Sequence, residues 1–281
     1  MSVWFITGAS RGLGAEIVRE ALARGHRVVA TARDAEAVRK AFPDAGERLL
    51  TAAVDVTDER QLRAAVDAAV ERFGRIDVLL NNAGRGLLSA VEEASDRAAR
   101  AVFDVNFFGV LNTQRAVLPV LRAQRSGHVI NMSSVGGFAT APGVGLYAAT
   151  KFALEGMSEA LHAELKPLGV SVTLVEPGGF RTDFLDGSSL HTEPASIEDY
   201  AQTAGVTRER LAGFNHAQAG DPMKLAAVVV DLAESDDPPL RIQLGADAVQ
   251  RVEAKLDFMR AELDRWRSVA LSTAITEPTQ S

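Results

Sequence analysis

The feature that most constrains the fold is a glycine-rich turn between a predicted strand and a predicted helix. Val3–Thr7 is a short apolar run rich in strand-forming residues, and apolar residues recur at helical spacing from Ile17 to Leu22. Between them lies the segment TGASRGLG, residues 7–14. Glycines in such a turn let a phosphate approach the backbone, and the helix N-terminus favours its negative charge. The GxxxGxG spacing differs from the GxGxxG fingerprint, so we predict a variant of the dinucleotide-binding turn.

The alternation of strand and helix then continues along the chain. Further strands are predicted at 27–31, 49–54, 76–80, 128–132, 170–175 and 241–244. This pattern predicts an α/β fold with a single doubly wound parallel sheet of the Rossmann type, about seven strands, and helices on both faces. With 281 residues, 47% of them hydrophobic, the chain is long enough for one such domain over residues 1–272. Residues 273–281 are expected to be a disordered tail.

The end of the second predicted strand bears on which dinucleotide is bound. An acidic residue that contacts the ribose of NAD usually follows the glycine turn by about 20 residues. Here the strand tip is Ala32, followed by Arg33. A cation suits the 2′-phosphate of NADP, and Arg11 in the glycine turn could add to it. Asp34 could cap the next helix or contact a ribose. Arg33 therefore favours NADP(H) over NAD(H).

Polar residues at other predicted element ends leave alternatives open. Asp55 could accept a hydrogen bond from an adenine amino group, or act as a second helix-capping acid beside Asp58. The segment NNAG at 81–84 suits either close backbone approach to a ligand or a structural turn.

Asn106 lies among apolar residues of a helix predicted over 97–122, and a buried amide needs partners. It either bonds a neighbouring backbone or marks a bend that opens a carbonyl to a proton-relay water.

The stretch INMSSVGGFATAPGVGLYAATK, residues 130–151, carries the chemistry. Tyr147 and Lys151 are four residues apart, so on a helix they share one face. A lysine beside a tyrosine stabilises the phenolate and lowers the phenol pKa from about 10. A hydroxyl donor such as Ser134 could hold a substrate oxygen near that phenol. These groups suit proton transfer to or from an alcohol or ketone.

Residues 183–220 break the strand–helix alternation. They are polar and mixed, with short helical fragments around 197–204 and 207–217, and we expect them to form a lid. Apolar lid residues would contact the substrate: Phe184, Leu185, Leu190, Tyr200 and Phe214. Asp221 and Pro222 are a good helix start.

The last predicted helix, 246–268, carries apolar residues alternately three and four positions apart. They are Val249, Val252, Leu256, Met259, Leu263 and Trp266. This seam could pack on its own domain or on a second subunit.

Composition excludes several classes of protein. There is no cysteine, which rules out disulfides and thiolate metal sites, and the five histidines lie far apart without metal-ligand spacing, so we expect no metal. The net charge is −7 and basic residues are scattered among acids, so no nucleic-acid partner is expected. No apolar run approaches a membrane span and no leader pattern precedes the first strand, which predicts a cytoplasmic protein without a membrane partner.

With these motifs together, the chain resembles the short-chain dehydrogenase/reductase superfamily over about its first 185 residues. The matching motifs are TGASRGLG, Asp55, NNAG at 81–84, Asn106, Ser134, YAATK at 147–151 and PGGFRT at 177–182. The resemblance implies an oxidoreductase that transfers a hydride between NADP(H) and a carbonyl or alcohol substrate, most simply a ketone or aldehyde reductase.

The resemblance also implies roles for individual residues. Tyr147 would be the general acid in carbonyl reduction, Lys151 would lower its pKa and hold the nicotinamide ribose, and Ser134 would orient the substrate oxygen. Asn106 would anchor a water in a proton relay. The residues implied to contact the cofactor are Gly8, Ser10, Arg11, Gly12, Leu13, Gly14, Arg33, Asp55, Val56, Asn82, Ala83, Gly84, Tyr147, Lys151, Pro177, Gly178 and Thr182.

The alternative is a non-catalytic NAD(P)-binding sensor or interaction protein on the same fold, because fold does not fix function. Such a protein would be free to lose Tyr147 or Lys151, and both are present. The sequence leaves sugar, steroid, fatty acyl, quinone and small ketone substrates open. An apolar pocket is predicted from Phe138, Val144, Phe180 and Phe184. The long final helix departs from the commoner family pattern, so both a homodimer and a homotetramer are compatible with the sequence.

Overall fold

The computed structural model describes residues 1–194 and 196–275. Its strands are β1 (Val3–Thr7), β2 (Arg27–Ala32), β3 (Leu49–Ala53), β4 (Val78–Asn81), β5 (Gly86–Leu88), β6 (Gly127–Met132), β7 (Val170–Pro177), β8 (Leu190–Thr192) and β9 (Arg241–Leu244). Within the described residues, seven of these strands form one parallel sheet in the order β3-β2-β1-β4-β6-β7-β9. The predicted doubly wound parallel sheet is confirmed.

Helices cover both faces of this sheet. They are α1 (Gly12–Ala23), α2 (Ala35–Ala41), α3 (Glu59–Phe73), α4 (Asp96–Phe103), α5 (Gly109–Gln124), α6 (Gly145–Leu165), α7 (Val206–Phe214), α8 (Pro222–Glu234) and α9 (Ala246–Leu271). One core lies between the sheet and α1, α2 and α8, and a second core lies between the sheet and α3, α5 and α6. Ile17 and Leu62 represent the two cores; each is fully buried and contributes about 1.5–3 kcal/mol by leaving water.

Local sequence signals set many of the helix ends. Asp34, Asp58 and Asp221 accept backbone N–H bonds at the starts of α2, α3 and α8, an interaction worth about 1 kcal/mol in a typical helix. Pro222 occupies the first turn of α8, where its missing N–H costs nothing. Gly74 ends α3 with φ of +77°, a conformation that glycine adopts without strain. These ends match the sequence-based predictions for Asp34, Asp58, Asp221 and Pro222.

Two features differ from the prediction. The helix predicted over 97–122 is interrupted by a π-helical turn, Asp104–Phe108, which joins α4 to α5. A small two-stranded parallel sheet, β5 with β8, was not predicted. Each of its strands has three residues, which is too short for a period-two pattern to show in the sequence.

The segment predicted to be a lid, residues 183–220, is called the lid below; it follows β7, and α9 is the last helix of the described chain. After β7 the lid contains β8, short helical turns at Glu198–Tyr200 and Ala201–Gly205, and α7. The last helix runs to Leu271, slightly beyond its predicted end, while residues 276–281 of the predicted tail lie outside the described residues. Among the residues that the structure describes, no helix combines the length and the apolar character needed to cross a membrane.

Candidate active site

The glycine turn between β1 and α1 is built so that only glycine fits at two positions. Gly8 has φ of +67°, and a Cβ there would lie 2.8 Å from the Cα of Ala83. A Cβ on Gly14 would lie 2.3 Å from the carbonyl oxygen of Gly8 and 2.4 Å from Asn82 Nδ2. The turn therefore closes on itself and on the loop after β4. Its backbone is left open on the cavity side.

The loop after β4 is tied to this turn by hydrogen bonds. The Asn82 side-chain amide donates to the carbonyl oxygens of Thr7 and Gly8 at 3.1 and 3.0 Å. The backbone N–H groups of Asn82 and Ala83 both donate to Thr7 Oγ1 at 3.1 Å. Of the two alternatives for the NNAG segment, the structural turn is observed, and residues 82–84 also line the cavity described next. Sequence reasoning did not single out the Thr7 hydroxyl.

A cavity of about 1020 Å³ runs along the carboxyl edge of the sheet, from β2 to the lid. Most of the predicted site residues line it. They are Gly8, Ser10, Arg11, Gly12, Leu13, Arg33, Asp55, Val56, Asn82, Ala83, Gly84, Ser134, Tyr147, Lys151, Pro177, Gly178 and Thr182. Gly14 and Asn106 lie behind this lining: Gly14 packs within the turn, and Asn106 is fully buried.

The end of the cavity beside β2 carries an exposed arginine. Arg33 is exposed at the tip of β2, next to Asp34. Asp34 Oδ1 accepts from the N–H groups of Glu36 and Ala37 at 3.0 and 3.1 Å, so its carboxylate is a helix cap. Asp55 Oδ1 likewise accepts from the backbone N–H and the hydroxyl of Thr57, at 2.9 and 2.7 Å. Asp34 thus caps α2, whereas the Asp55 bonds close a turn before α3, whose cap is Asp58, and an adenine contact of Asp55 stays a prediction.

Arg11 lines the cavity and also bonds residues that follow β7. Its guanidinium donates to Ser188 Oγ at 2.6 Å, to the Ser188 carbonyl at 3.0 Å and to Ser189 Oγ at 2.8 Å. Both serines belong to the lid. Arg11 therefore joins residues 188 and 189 to the glycine turn, and its part in binding a 2′-phosphate stays a prediction.

Tyr147 and Ser134 meet at the centre of the cavity. Tyr147 lies in the first turn of α6, and Ser134 follows β6. Gly136 lies between them: a Cβ there would be 3.3 Å from Ser134 Oγ and 3.6 Å from the Tyr147 ring. Burial raises the pKa of Tyr147, while a hydrogen bond with Ser134 lowers it, and the net shift is upward. The lowered phenol pKa predicted from the sequence is not found.

Lys151 lies one helical turn after Tyr147 and is bonded to the backbone of β6. Its Nζ lies 5.9 Å from the centre of the Tyr147 ring and donates to the carbonyl oxygen of Met132 at 2.8 Å. Lys151 is 5% exposed, and burial lowers its pKa to about 8, partly offset by the negative charge of Glu155. The shift in the Tyr147 pKa thus comes from burial and from the Ser134 hydrogen bond, while Lys151 Nζ is bonded to the backbone.

Asn106 clamps the loop after β4 to the helix that carries Tyr147. Its Oδ1 accepts from the Arg85 N–H at 2.9 Å, and its Nδ2 donates to the Arg85 carbonyl at 2.9 Å and to Thr150 Oγ1 at 3.1 Å. Thr150 in turn donates to the Tyr147 carbonyl at 2.7 Å. The backbone hydrogen bonds that were one of the two alternatives are present. The π-helical turn places Asn106 where this clamp can form, and the proton-relay role stays a prediction.

A cluster of carboxylates around one arginine lies behind Lys151. Arg241 Nε is 2.9 Å from Glu155 Oε2 and 3.4 Å from Glu176 Oε1, and the same guanidinium bonds Glu159. Burial raises the pKa of Glu176 to about 7. Sequence reasoning missed this cluster. The available signal was the position of Glu155, four residues after Lys151 on the same helix face.

Apolar side chains gather beside Tyr147 at the lid end of the cavity. The Phe184 ring lies 6.0 Å from the Tyr147 ring. Val144, Phe180, Leu185, Leu190 and Phe214 also line this end, as predicted. Phe138 instead packs against Val135, Ala248 and Val252, and Tyr200 donates to Glu92 outside the cavity lining.

Residues from the start of α9 complete the cavity, and no sequence motif pointed to them. Asp247 Oδ2 accepts from the Gly179 N–H at 2.8 Å. A Cβ on Gly178 would lie 2.1 Å from Asp247 Oδ1, so glycine is required there. Arg251 lines the same end and donates to the Ala139 carbonyl.

Three lid residues come close together although they are distant in sequence. Asp183, Asp186 and His216 each place a potential ligand atom within 4.8 Å of the others. They are exposed or half-buried, and exposed acidic groups commonly lie together without an ion. This grouping was not apparent from the histidine spacing, and we assign no metal to it.

Comparison with known proteins agrees with this geometry. The family model described as short chain dehydrogenase matches residues 2–192. An oxidoreductase of Botryotinia fuckeliana, BOA17, is 40% identical over 97% of this chain and 99% of its own length. A 3-ketodihydrosphingosine reductase of Bacteroides thetaiotaomicron is 38% identical over 85% of this chain and 86% of its own.

Solved structures give the same result. A short-chain dehydrogenase from Streptomyces avermitilis is 39% identical, with a TM-score of 0.89, over 98% of this chain and 100% of that one. Other solved relatives, 25% and 28% identical, were determined with NADH or with NADP bound. The cavity, the motifs and these matches lead to one conclusion: the chain belongs to the short-chain dehydrogenase/reductase superfamily, whose members are nicotinamide-dependent oxidoreductases of alcohols and carbonyl compounds.

Proposed function

We propose that this protein is an NADP(H)-dependent reductase of apolar ketones or aldehydes, with Tyr147 as the general acid. The observation that carries the proposal is a convergence within one cavity. Ser134, Tyr147 and Lys151 meet at its centre, beside an apolar lid, and Arg33 lies at its other end. A proton donor, an oxygen-binding hydroxyl and a cation for a 2′-phosphate are thus arranged along one cleft.

The residues present fit a dinucleotide. Gly8 and Gly14 let the glycine turn pack closely on itself and on the loop after β4, which leaves its backbone on the cavity side, and the start of α1 favours negative charge. Arg33 would pair with the 2′-phosphate, and two N–H donors of Lys151 remain for ribose hydroxyls beyond its bond to Met132. When bound, the nicotinamide supplies the hydride that adds to the substrate carbonyl carbon.

Residues of the chain itself supply the proton that the substrate oxygen takes up during reduction. Ser134 Oγ–H donates a hydrogen bond to the substrate oxygen, and the Tyr147 hydroxyl gives its proton to that oxygen. Because the pKa of Tyr147 is raised, the phenol stays protonated at neutral pH, which is the form that reduction consumes. Lys151 then stabilises the phenolate that develops.

The lining supports an apolar substrate. Phe180, Phe184, Leu185 and Phe214 face the cavity beside Tyr147, and apolar walls with a few polar groups suit a hydrophobic ketone. The relative named as a 3-ketodihydrosphingosine reductase also acts, by its name, on a ketone. Long-chain ketones are therefore the first compounds to test, with steroid and small aromatic ketones beside them.

The decisive experiment compares the natural chain with Tyr147→Phe. NADPH oxidation is followed with a panel of ketones and aldehydes, and NADPH binding is measured separately by fluorescence. We expect kcat to fall by about 10²–10⁴-fold, the usual contribution of general acid catalysis, while NADPH binding changes little. A variant that keeps the full rate would show that the acid is misassigned. NADPH binding without turnover of any compound would favour the non-catalytic alternative.

A further inference from the structure

The outer part of α9 stands away from the domain. Its first turns are seated on the protein, where Ala248 and Val252 are buried against Val135 and Phe138. From Glu253 to Leu271 every side chain is exposed apart from the half-buried Lys255. A helix of this length gains most of its stability in water from packing one face. We therefore expect the exposed portion of α9 to pack against a partner.

The exposed portion carries a regular apolar seam. The seam consists of Val249, Val252, Leu256, Met259, Leu263 and Trp266, which alternate three and four residues apart as the a and d positions of heptads do. Beyond Val252, its residues are 50–53% exposed, and Val249 is 43% exposed. Strict a/d spacing is the pattern of a two-helix coiled coil.

We propose that this seam pairs with the same seam of a second copy, as an antiparallel coiled coil about a two-fold axis. The axis passes between Asp257 and Phe258, the middle of the seam. Leu256 then packs beside Met259 of the second copy, and Trp266 packs beside Val249 of the second copy. The partner's Leu263 and Trp266 extend the small core that already holds Ala248 and Val252.

Charges beside the seam select this pairing. With the axis at this position, Glu253 faces Arg260 of the second copy, and Lys255 faces Glu262 of the second copy. The two-fold axis repeats each contact, so four pairs of opposite charge flank the seam. Flanking charges of this kind set the partner and orientation of coiled coils.

Other pairings place like charges together. A slide by one heptad in one direction sets Arg260 against Arg260 and Glu262 against Glu262. The opposite slide sets Glu253 against Glu253 and Lys255 against Lys255. A parallel pair in register places Lys255 next to Arg260 on both sides. Among these four arrangements, only the proposed antiparallel register has no like-charge contact. Like-charge contacts disfavour the two shifted registers and the parallel pair.

A membrane surface fits the same helix poorly. Surface-binding helices are rich in lysine and arginine on the polar face. Over 246–271 this helix carries five acidic and five basic residues, a net charge of zero. A second copy of the chain matches both the apolar seam and its charged borders.

The first test is the oligomeric state of the full chain by analytical ultracentrifugation at 1–100 µM, roughly the range where such helix pairs associate. We expect a dimer, and we expect Leu256→Glu with Met259→Glu to give a folded monomer whose melting temperature, unlike that of the natural chain, does not depend on protein concentration. A full chain that sediments as a monomer throughout, or a double variant that stays dimeric, would overturn the proposal.

The second test uses charge reversal. Arg260→Glu should raise the dimer dissociation constant by about tenfold, because two attractive pairs become repulsive. Adding Glu253→Arg should restore it to within about threefold. Arg265→Glu is the matched control, since residue 265 lies off the seam borders, and it should change the constant by less than about twofold. A parallel pair would instead tighten with Arg260→Glu, because the new carboxylate would face Lys255.

The third test exploits the absence of cysteine from the chain. Val249→Cys and Trp266→Cys chains are prepared separately, mixed and oxidised. The mixture should give a disulfide-linked dimer on a non-reducing gel, since the two positions meet across the axis. Each chain alone should give none, because its own cysteines lie far apart in an antiparallel pair. Linkage by Val249→Cys alone would show a parallel pair and overturn the register.

Discussion

Arg241 Nε lies 2.9 Å from Glu155 Oε2, and this ion pair joins the last strand of the sheet to the helix that carries the catalytic candidates. The same arginine approaches Glu176 Oε1 at 3.4 Å. One guanidinium thus serves two buried carboxylates. Burial raises the pKa of Glu176, and the negative charge of Glu155 raises it further. The hydrogen bond from Gln243 and the positive charge of Arg241 lower it. The resulting pKa is about 7. Below that pH, Glu176 carries a proton beside the cavity.

This proton makes stability depend on pH. The folded pKa of Glu176 is about 7 and the ordinary value is 4.5, so between these pH values the folded chain binds more protons than the unfolded chain. Stability from this residue is therefore fully present below pH 4.5 and is lost as the pH rises to 7. Glu176→Gln should remove that loss, on the order of 1–3 kcal/mol at pH 8. Urea unfolding at pH 5 and pH 8 measures it.

The control for this prediction is Glu47→Gln, whose side chain is 96% exposed. It should leave the difference in unfolding free energy between pH 5 and pH 8 unchanged. If Glu176→Gln also left that difference unchanged, Glu176 would have to be ionised throughout.

Lys151 should set the upper pH limit of carbonyl reduction. Burial lowers its pKa to about 8, and above that pH the amine loses the charge that stabilises the Tyr147 phenolate. We expect kcat/KM for reduction to fall about tenfold per pH unit above about 8. Glu155 raises the pKa of Lys151, so Glu155→Gln should move the break to lower pH. Glu159→Gln, on the same helix and 58% exposed, should move it less. A break that moves upward in Glu155→Gln would contradict the assignment to Lys151.

Arg33 should decide between the two dinucleotides. Hydrogen bonds to charged groups contribute about 1.5–3 kcal/mol, so Arg33→Ala should raise KM for NADPH by about 10–100-fold. KM for NADH should change little, because NADH has no 2′-phosphate. Arg39→Ala is the matched control, since Arg39 is also an exposed cation, lies on the helix that follows Arg33 and pairs with Glu36. Equal losses for both cofactors would contradict the proposed NADP preference.

Glu93 and Arg208 should hold the lid on the domain. The Glu93 side chain is fully buried and bonds Arg208 of α7. It also accepts from the Ile197 and Ala90 N–H groups at 2.9 and 2.8 Å. Burial alone would raise the pKa of Glu93, but these backbone bonds and Arg208 lower it overall. Arg208→Met leaves a buried carboxylate without its cation and should cost about 3 kcal/mol of unfolding free energy.

Chymotrypsin cleavage reports the lid directly, because the lid contains Phe184, Tyr200 and Phe214. Cleavage should be faster in Arg208→Met. Arg100→Met removes an ion pair with Asp96 whose partners are 75% and 78% exposed, and should cost less than about 0.5 kcal/mol. Equal cleavage of the lid in both variants would mean that the Glu93 bond is not what closes it.

Local patterns in the sequence determined the sheet, its helices and the central site. Strand runs, helical stripes, the glycine turn and the spacing of Tyr147 and Lys151 are each encoded within a few residues, because side-chain periodicity follows the backbone. The tips of parallel strands meet at one edge, so the motifs at those tips were expected to share a cavity. The structure brings Ser134, Tyr147 and Lys151 together there.

Tertiary structure decided what lies between distant segments. Arg241 meets Glu155 across 86 positions of the chain, Arg11 bonds a lid serine 177 positions away, and β5 pairs with β8 about 100 residues later. The raised pKa of Tyr147 comes chiefly from burial, which no spacing of residues reveals. The exposure of α9 was decided in the same way. An apolar seam in the sequence predicts that this surface packs against something. Only the folded domain shows which part of the seam its own core leaves exposed.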